Sequence, residues 1–462
     1  MYEYCGSLFI LLAFMASGCA QVDRHSPYAN SEARELASAR RVAEEKRLRP
    51  AEAEVAGEPN GVVTLSDAVS FALVNSPQLR AFSRALRAAE ARELQAGLRP
   101  NPQFEVEIEE FGGSGDLNGF DAAETSIQLG QLIELGDQRA KRRRLAGIET
   151  ALERWDYESR KLDVMHGVAS AFVDVLAAQE QVALVDELVE LSQKSYGAVE
   201  QRVAAGKDSP VEQTKAKVAV STARLSHARA TQALASARTR LALAWGSEAA
   251  AYDEVTGDFY AISPVPAYGE LARLLEKNPD LARWNTETRR RKAALDLERA
   301  RAAAGVNVRG GVAHFGESDD TAFIVGLAIP LQTFDRNQGQ IEAATQMLAK
   351  TRDDSKVAQM NVRTALAGAV QGLSTAFTEA GLLRDEVLPA ARSAYEAAEE
   401  GYRQGKFDYL EVLDAQRTLF EARVQYVSSL TTYHRTRAAI ERLIGRGVDT
   451  MNTTTEGGTS DD

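Results

Sequence analysis

Two glycine-centred motifs recur in this 462-residue chain at a constant separation. Gly206 ends one long helical pattern and Gly405 ends another, and they lie 405 − 206 = 199 positions apart. Gly246 and Gly445 have the same separation, 445 − 246 = 199. Self-similarity at a fixed period is the sequence signature of a repeated structural unit. The chain is therefore predicted to be a tandem duplication, and its fold must contain one architecture twice.

Gly206 and Gly405 each mark the tip of a predicted helical hairpin, because glycine tolerates the left-handed backbone that ends a helix. In the first copy Asp208 or Ser209 caps the returning helix and Pro210 opens it. In the second copy Asp408 can accept the first free N–H groups of the next helix. The residues predicted to form the two tips are Gly206, Lys207, Gly405 and Lys406.

Two stretches in each copy change from the helical period to a two-residue alternation. In the first of them Phe104, Val106 and Ile108 alternate with glutamates, which predicts a strand with one apolar and one acidic face. Each stretch has about the length that crosses a bilayer when tilted. The predicted strands cover about 101–111, 123–133, 305–315 and 321–331. We expect Glu105, Glu107 and Glu109 to face a barrel lumen and favour cations, or else only to keep that face wet.

Four strands are too few to close a membrane barrel, which needs about eight at the least. An open sheet edge in lipid would leave backbone groups unpaired. If the strands face lipid, several copies of the chain must share one barrel, so the protein is an obligate oligomer. The alternative is a pair of soluble hairpins packed on the helices.

The remaining pattern is helical. From Gly136 to about Ala205 apolar residues follow alternating three- and four-residue steps, which is coiled-coil spacing. A helix of roughly 70 residues is on the order of 100 Å long. The shorter returning arm, Pro210–Trp245, lies opposite it, and the second copy repeats the plan. The fold class is therefore mainly α, with long antiparallel coiled coils and a membrane β portion.

The net charge of −12 argues against nucleic acid as a partner, because binding phosphates needs a basic surface. Near the N-terminus a short apolar run ends in Ala16-Ser17-Gly18-Cys19, which resembles a bacterial lipobox with Cys19 as lipid anchor; the alternative is an ordinary buried thiol. The predicted order is a lipoprotein signal peptide at 1–18, a linker or equatorial segment at 19–63, a first repeat at 64–246, an equatorial linker at 247–267, a second repeat at 268–446 and a disordered acidic tail at 447–462.

Four short motifs flank the predicted strands, and with them the chain resembles the TolC-type outer-membrane efflux channels, most of all their CzcC-like heavy-metal branch. The motifs are Gly97-Leu-Arg-Pro-Asn-Pro102, Gln131-Leu-Ile-Glu-Leu-Gly136, Ile329-Pro-Leu331 and Phe334-Asp-Arg-Asn-Gln-Gly339. The resemblance implies a homotrimer, a twelve-stranded barrel in the outer membrane and a helical tunnel in the periplasm. It also implies an exit duct for heavy-metal cations that docks by its tips onto a periplasmic adaptor, which joins it to a proton-driven inner-membrane pump of the RND type.

The resemblance further implies a gate at the periplasmic mouth, formed by acidic residues just past the tip. The matching residues are Glu212, Tyr402, Glu411 and Asp414. Phe407 stands where the family's arginine latch is expected, so that latch is in question. Glu411 and Asp414 are three positions apart and share one helix face, so three copies would bring six carboxylates together. The alternative is that these acids are simply solvated.

The other constellations leave more than one interpretation open. The basic run Arg139–Arg144 and a second run, Arg289–Lys292, suit lipid headgroups, pairing with acidic helices of another subunit, or solvation. The five histidines show no ligand spacing, so no metal site and no cofactor are expected. No pattern of a catalytic site is present, so we do not expect an enzyme. The competing functions are a lipid-tethered periplasmic scaffold without a pore and an export duct for organic compounds or peptides.

Overall fold

The computed structural model describes residues 58–445 and 447. The helices are α1 Leu65–Asn75, α2 Pro77–Ala96, α3 Gln138–Ala204, α4 Pro210–Leu243, α5 Tyr268–Leu274, α6 Pro279–Arg301, α7 Gln338–Leu382, α8 Leu388–Arg403 and α9 Tyr409–Ile444. The strands are β1 Val62–Thr64, β2 Gln103–Glu109, β3 Glu124–Ile133, β4 Glu254–Thr256, β5 Val306–Phe315 and β6 Asp320–Ala328.

Local signals explain where the helices begin. Thr64 and Asp67 form a reciprocal capping box at the start of α1. Proline occupies the first position of α2, α4 and α6, where its missing N–H costs nothing. Asn278 caps α6 by accepting a hydrogen bond from the backbone N–H of Asp280 at 2.6 Å. These starts follow from a few adjacent residues, which is why the sequence predicts them well.

Strands β2, β3, β5 and β6 form an antiparallel sheet in the order β2-β3-β5-β6, so the two repeats join between β3 and β5. Residues that share a face follow from the register. One face carries Phe104, Val106, Ile108, Ile127, Leu129, Val308, Val312, Phe323, Val325 and Leu327. At the β3–β5 seam a side chain on Gly311 would overlap the carbonyl of Ile127, so glycine permits the close approach of the two repeats. The apolar face is largely exposed, with Phe323 90% accessible.

The helices form coiled-coil pairs around α3. This helix packs against α2 and α6 toward the sheet and against α4 and α9 toward the tips. Helices α7 and α8 are almost continuous, since only a π-helical turn at Leu383–Val387 separates them before Pro389. On length and composition α3 contains a window that could cross a membrane, but that test is also met by helices packed inside a protein. Helix α3 has neighbours on several sides, and 28% of that window is buried.

A second, smaller sheet was not predicted from the sequence. Strand β1 pairs in parallel with β4, which lies inside the predicted linker 247–267. Val63 and Val255 face one core with Phe172, Leu241 and Tyr252. The linker is therefore anchored to the first repeat by a backbone ladder as well as by side-chain packing.

Candidate functional site

The two hairpin tips have the predicted backbone. Gly206 and Gly405 adopt left-handed φ values of 70° and 73°. Ser209 caps α4 by accepting a hydrogen bond from the N–H of Val211 at 3.2 Å. Asp408 occupies the N-cap of α9, but its side chain makes no capping hydrogen bond, so that part of the expectation was wrong. Helix α9 therefore begins without side-chain capping.

A network of three side chains joins the two tips. The Arg202 guanidinium donates to both carboxylate oxygens of Asp208, at 2.8 and 2.9 Å. Tyr402 donates its hydroxyl proton to Asp208 at 2.6 Å, and its ring lies 4.7 Å from the Arg202 guanidinium. Arg202 also donates to the Tyr402 carbonyl at 3.3 Å. We call Arg202, Asp208 and Tyr402 the tip network; it links the end of the first hairpin to the end of the second.

The predicted gate acids occupy two environments. Glu411 and Asp414 lie exposed on α9, one turn apart, as expected from their spacing. Glu212 lies on α4 near Asp208 and Asp408. Tyr402, which the resemblance placed with these acids, bonds to Asp208, which the sequence suggested only as a helix cap.

Phe407 takes a packing role. Its ring lies over Gly401 so closely that a Cβ at that position would overlap it. The Lys207 and Lys406 side chains follow their glycines at the exposed ends of the two tips. The Phe407 ring therefore packs against Gly401 beside the second tip.

The polar face of the large sheet gathers the strand glutamates. Glu105, Glu107 and Glu109 lie on the face opposite Phe104, and their cross-strand neighbours are Gln128, Ser126 and Glu124. Arg309 of β5 reaches over this face to within 3.9 Å of Glu105. The β2–β3 half of this face is thus acidic and hydrophilic, its β5–β6 half carries Arg309 with small and apolar residues, and the other face is largely apolar.

Comparison with known proteins decides the family. The chain matches the family described as "Outer membrane efflux protein" over residues 68–247 and 271–446. It is 34% identical over 389 residues to the cobalt-zinc-cadmium resistance protein CzcC of Cupriavidus metallidurans, covering 84% of this chain and 91% of that protein. This chain belongs to the outer membrane efflux protein family.

Two further relatives agree with this assignment. The nickel-cobalt-cadmium resistance protein NccC of Alcaligenes xylosoxydans is 26% identical over 300 residues, covering 64% of this chain and 67% of NccC. A crystal structure of CusC superimposes with a TM-score of 0.70 at 19% identity, covering 86% of this chain and 98% of that one. The fold is therefore that of the TolC-like channels, as the sequence motifs indicated, and the family consists of efflux channels rather than enzymes.

In this efflux protein the tip network is electrostatically coherent. Hydrogen bonds from Arg202 lower the pKa of Asp208 despite its burial, and the Tyr402 hydroxyl lowers it further. Burial and the neighbouring Asp208 raise the pKa of the Tyr402 hydroxyl, so it remains a hydrogen-bond donor. Asp208 therefore stays ionised to a lower pH than an isolated aspartate, and its carboxylate accepts these hydrogen bonds.

The pKa of Glu212 is shifted the other way. Burial raises it first, and the charges of Asp208 and Asp408 raise it further. Glu212 therefore takes up a proton more readily than an isolated glutamate. Three carboxylates from both hairpins thus share one region of the efflux protein's tip.

Sequence reasoning did not single out Arg202, which the structure places in the tip network. Its only local signal is its position one helical turn before Gly206, on the side of α3 that carries Val199 into the core. Its partner Tyr402 is 402 − 202 = 200 positions away, so no local pattern joins them. Cys19 lies outside the described residues. Among residues 58–445 no cluster of three or more His, Cys, Asp or Glu side chains is arranged to hold a metal ion.

Proposed function

We propose that this chain forms the outer-membrane exit duct of a tripartite, proton-driven efflux system that exports heavy-metal cations. The observation that carries the proposal is the two-faced sheet, apolar on one side and acidic along β2 and β3 on the other, set on long paired helices. Lipid suits the first face and passing cations suit the second. The names of CzcC and NccC, both resistance proteins for divalent metals, support heavy metals as the cargo.

The duct is a homotrimer with a twelve-stranded barrel, three times the four strands of one chain. Within the described sheet, β2 and β6 each have one edge without a partner strand. Such edges cannot remain open in lipid, because their backbone groups would lack hydrogen bonds. Joining β6 of one copy to β2 of the next closes the barrel and satisfies both edges.

The helices extend into the periplasm, where the tips bind an adaptor that connects the duct to an inner-membrane RND pump. Lys207 and Lys406 stand at the two tips and supply exposed cations to that contact. Cys19 carries a lipid that tethers the chain to the outer membrane. The pump selects the cargo, and the duct conducts it.

The tip network and the exposed acids form the periplasmic gate. Glu411 and Asp414 of three copies make a ring of six carboxylates, which mutual repulsion spreads and a cation draws together. The tip network holds the two hairpins of each copy in the closed arrangement. Within this network Arg202 supplies the positive charge that a latch arginine would supply at position 407, where this chain has Phe407.

Two experiments test the function. Purified full-length protein in planar lipid bilayers should form channels that favour cations, because the lumen face is acidic. A deletion strain should lose tolerance to cobalt, zinc or cadmium, and the wild-type gene should restore it. Absence of channels would leave the scaffold function instead. Unchanged metal tolerance together with sensitivity to organic compounds would assign the duct to organic cargo.

A further inference from the structure

The start of α3 carries more positive charge than the nearby acidic residues balance, since five cations lie within Arg139–Arg144 against Glu134, the N-cap Asp137 and Glu93. The basic run begins one residue into the helix, and Arg142 in it pairs with Glu134 at 2.6 Å. In the described part of the chain Arg139, Arg143 and Arg144 form no ion pair. The first turn of α3 holds no acidic residue. Three guanidinium groups therefore gather beside the sheet without a direct ion pair, and the carboxylates near them are Glu93 and Glu134.

Without a bound anion, these cations destabilise the start of α3. Cations at a helix N-terminus face the positive end of the helix dipole, and Arg139 and Arg143 repel each other at i,i+4 spacing. The second repeat shows that the fold does not require the basic run. Its corresponding helix begins Gln338-Gly-Gln-Ile-Glu-Ala-Ala344, without a cation. An anion from outside the chain would remove the conflict in the first repeat.

A cleft lies where such an anion would bind. Arg139, Arg143 and Arg144 line a space of about 510 Å³ between α2 and α3, opposite a single carboxylate, Glu93 of α2. Side chains fold against two glycines that line this space, since a Cβ on Gly97 would meet Arg143 and one on Gly147 would meet the Glu93 carboxylate, each at 3.3 Å. An adjoining cleft is lined by Leu94 and Leu98, which are 72% and 50% exposed, with Glu90 and Glu93 beside them. Cations and exposed leucines thus lie side by side.

We propose that this cleft binds the phosphate of an anionic phospholipid headgroup. The guanidinium groups offer paired donors to phosphate oxygens, and the free N–H groups at the start of α3 favour the same charge. The leucines contact the first acyl carbons. The inference rests on the proposed function, because the sheet must lie in a membrane for the cleft, immediately beyond β2 and β3, to reach the headgroups.

The test compares two triple variants of the full-length protein in detergent. In R139Q/R143Q/R144Q the cleft loses its cations. The matched control R224Q/R229Q/R240Q removes three exposed arginines of α4, away from the sheet. Native mass spectrometry follows retention of phosphatidylglycerol, with phosphatidylcholine and inorganic phosphate as competitors. Wild type and control should retain phosphatidylglycerol selectively, and the cleft variant should bind it about 100-fold more weakly, about tenfold or less for each lost cation.

Several results would overturn the proposal. Equal retention of phosphatidylcholine would show that the cleft does not read charge, and displacement by inorganic phosphate alone would show a free-anion site. A cleft variant that keeps its lipid would exclude these arginines. A cleft variant that falls apart into single chains would assign them to a subunit interface. Channels in planar bilayers without selective lipid retention would reject only the headgroup site; retention without channels would reject only the duct.

Discussion

Arg202 contacts two carboxylate oxygens, a backbone carbonyl and an aromatic ring at the same time. We predict that Arg202→Ala leaves Asp208 without its main partner and weakens the closed state by about 1.5–3 kcal/mol, the range of charge-assisted hydrogen bonds. Spontaneous opening in planar bilayers should rise about 10- to 100-fold. Arg202→Lys should fall between, because it keeps the charge and loses the paired donors.

Arg403 provides the control for this prediction. It lies at the same tip and pairs with Glu400 at 2.7 Å, but both side chains are more than half exposed. Such surface pairs contribute little. Arg403→Ala should therefore leave opening nearly unchanged, and equal opening in both variants would remove Arg202 from the gate.

Gly401 gives a second prediction at the level of one residue. Gly401→Ala places a methyl group where the Phe407 ring lies, so the ring must move. We expect a loss of about 1–3 kcal/mol in tip stability, as for other overpacked sites. The control is Gly197→Ala in α3, where nothing lies within 4 Å of the added Cβ and alanine favours the helix. Limited proteolysis at the tip should accelerate for the first variant alone.

Three helices meet at one arginine near the end of α9. Arg442 pairs with Asp163 of α3 at 2.7 Å and with Asp280 of α6, which also accepts from Ser159. Arg442→Gln should destabilise the protein by about 1–3 kcal/mol, because two acids lose their counterion in a partly buried place. Arg417→Gln, on the same helix in an exposed pair with Glu421, should cost at most about 0.5 kcal/mol. Thermal unfolding at one scan rate compares them.

The ion pair between Arg442 and Asp280 has a defined pH dependence. Burial raises the pKa of Asp280, but hydrogen bonds from Arg442 and Ser159 outweigh it and hold the pKa below its ordinary 3.8. Because the folded value is the lower one, this stabilisation is present above the ordinary value and is lost as the pH falls through the folded value. Acid should therefore reduce the stability difference between wild type and Arg442→Gln, and a difference that persists in acid would contradict this assignment.

The elements differ in how far the sequence predicts them. Helix ends such as Pro210 and Gly206 depend on local backbone chemistry, so a short motif suffices. The four-stranded sheet can be predicted because the alternation of apolar and polar residues sets its two faces. Strand β1 has three residues and a partner far along the chain, so neither length nor period marks it. The tip network is hidden for the same reason, since its members come from different repeats.

At the scale of the whole molecule, the proposed ring of gate acids needs the carboxylates of neighbouring copies. We predict that Glu411→Gln with Asp414→Asn weakens block of the channel by divalent cations, raising the blocking concentration about fivefold, as expected for losing roughly 1 kcal/mol of attraction. Current recordings with cadmium or zinc added on the side of the proposed periplasmic gate measure this block. Glu421→Gln, farther along α9, serves as the control. Unchanged block in the double variant would disprove the ring.

The parallel pair of β1 and β4 bears on the order in which the protein is made. Val63 and Val255 close a core that uses no residue beyond 255. A chain leaves its ribosome amino end first, and units with their own cores fold in that order. The packing around this core can therefore form before the second repeat is made, whereas α3 also needs α6 and α9, and β3 needs β5, from the second repeat. Tyr402 arrives only near the end of synthesis, so an incomplete chain lacks the contact between Tyr402 and Asp208 that joins the two tips.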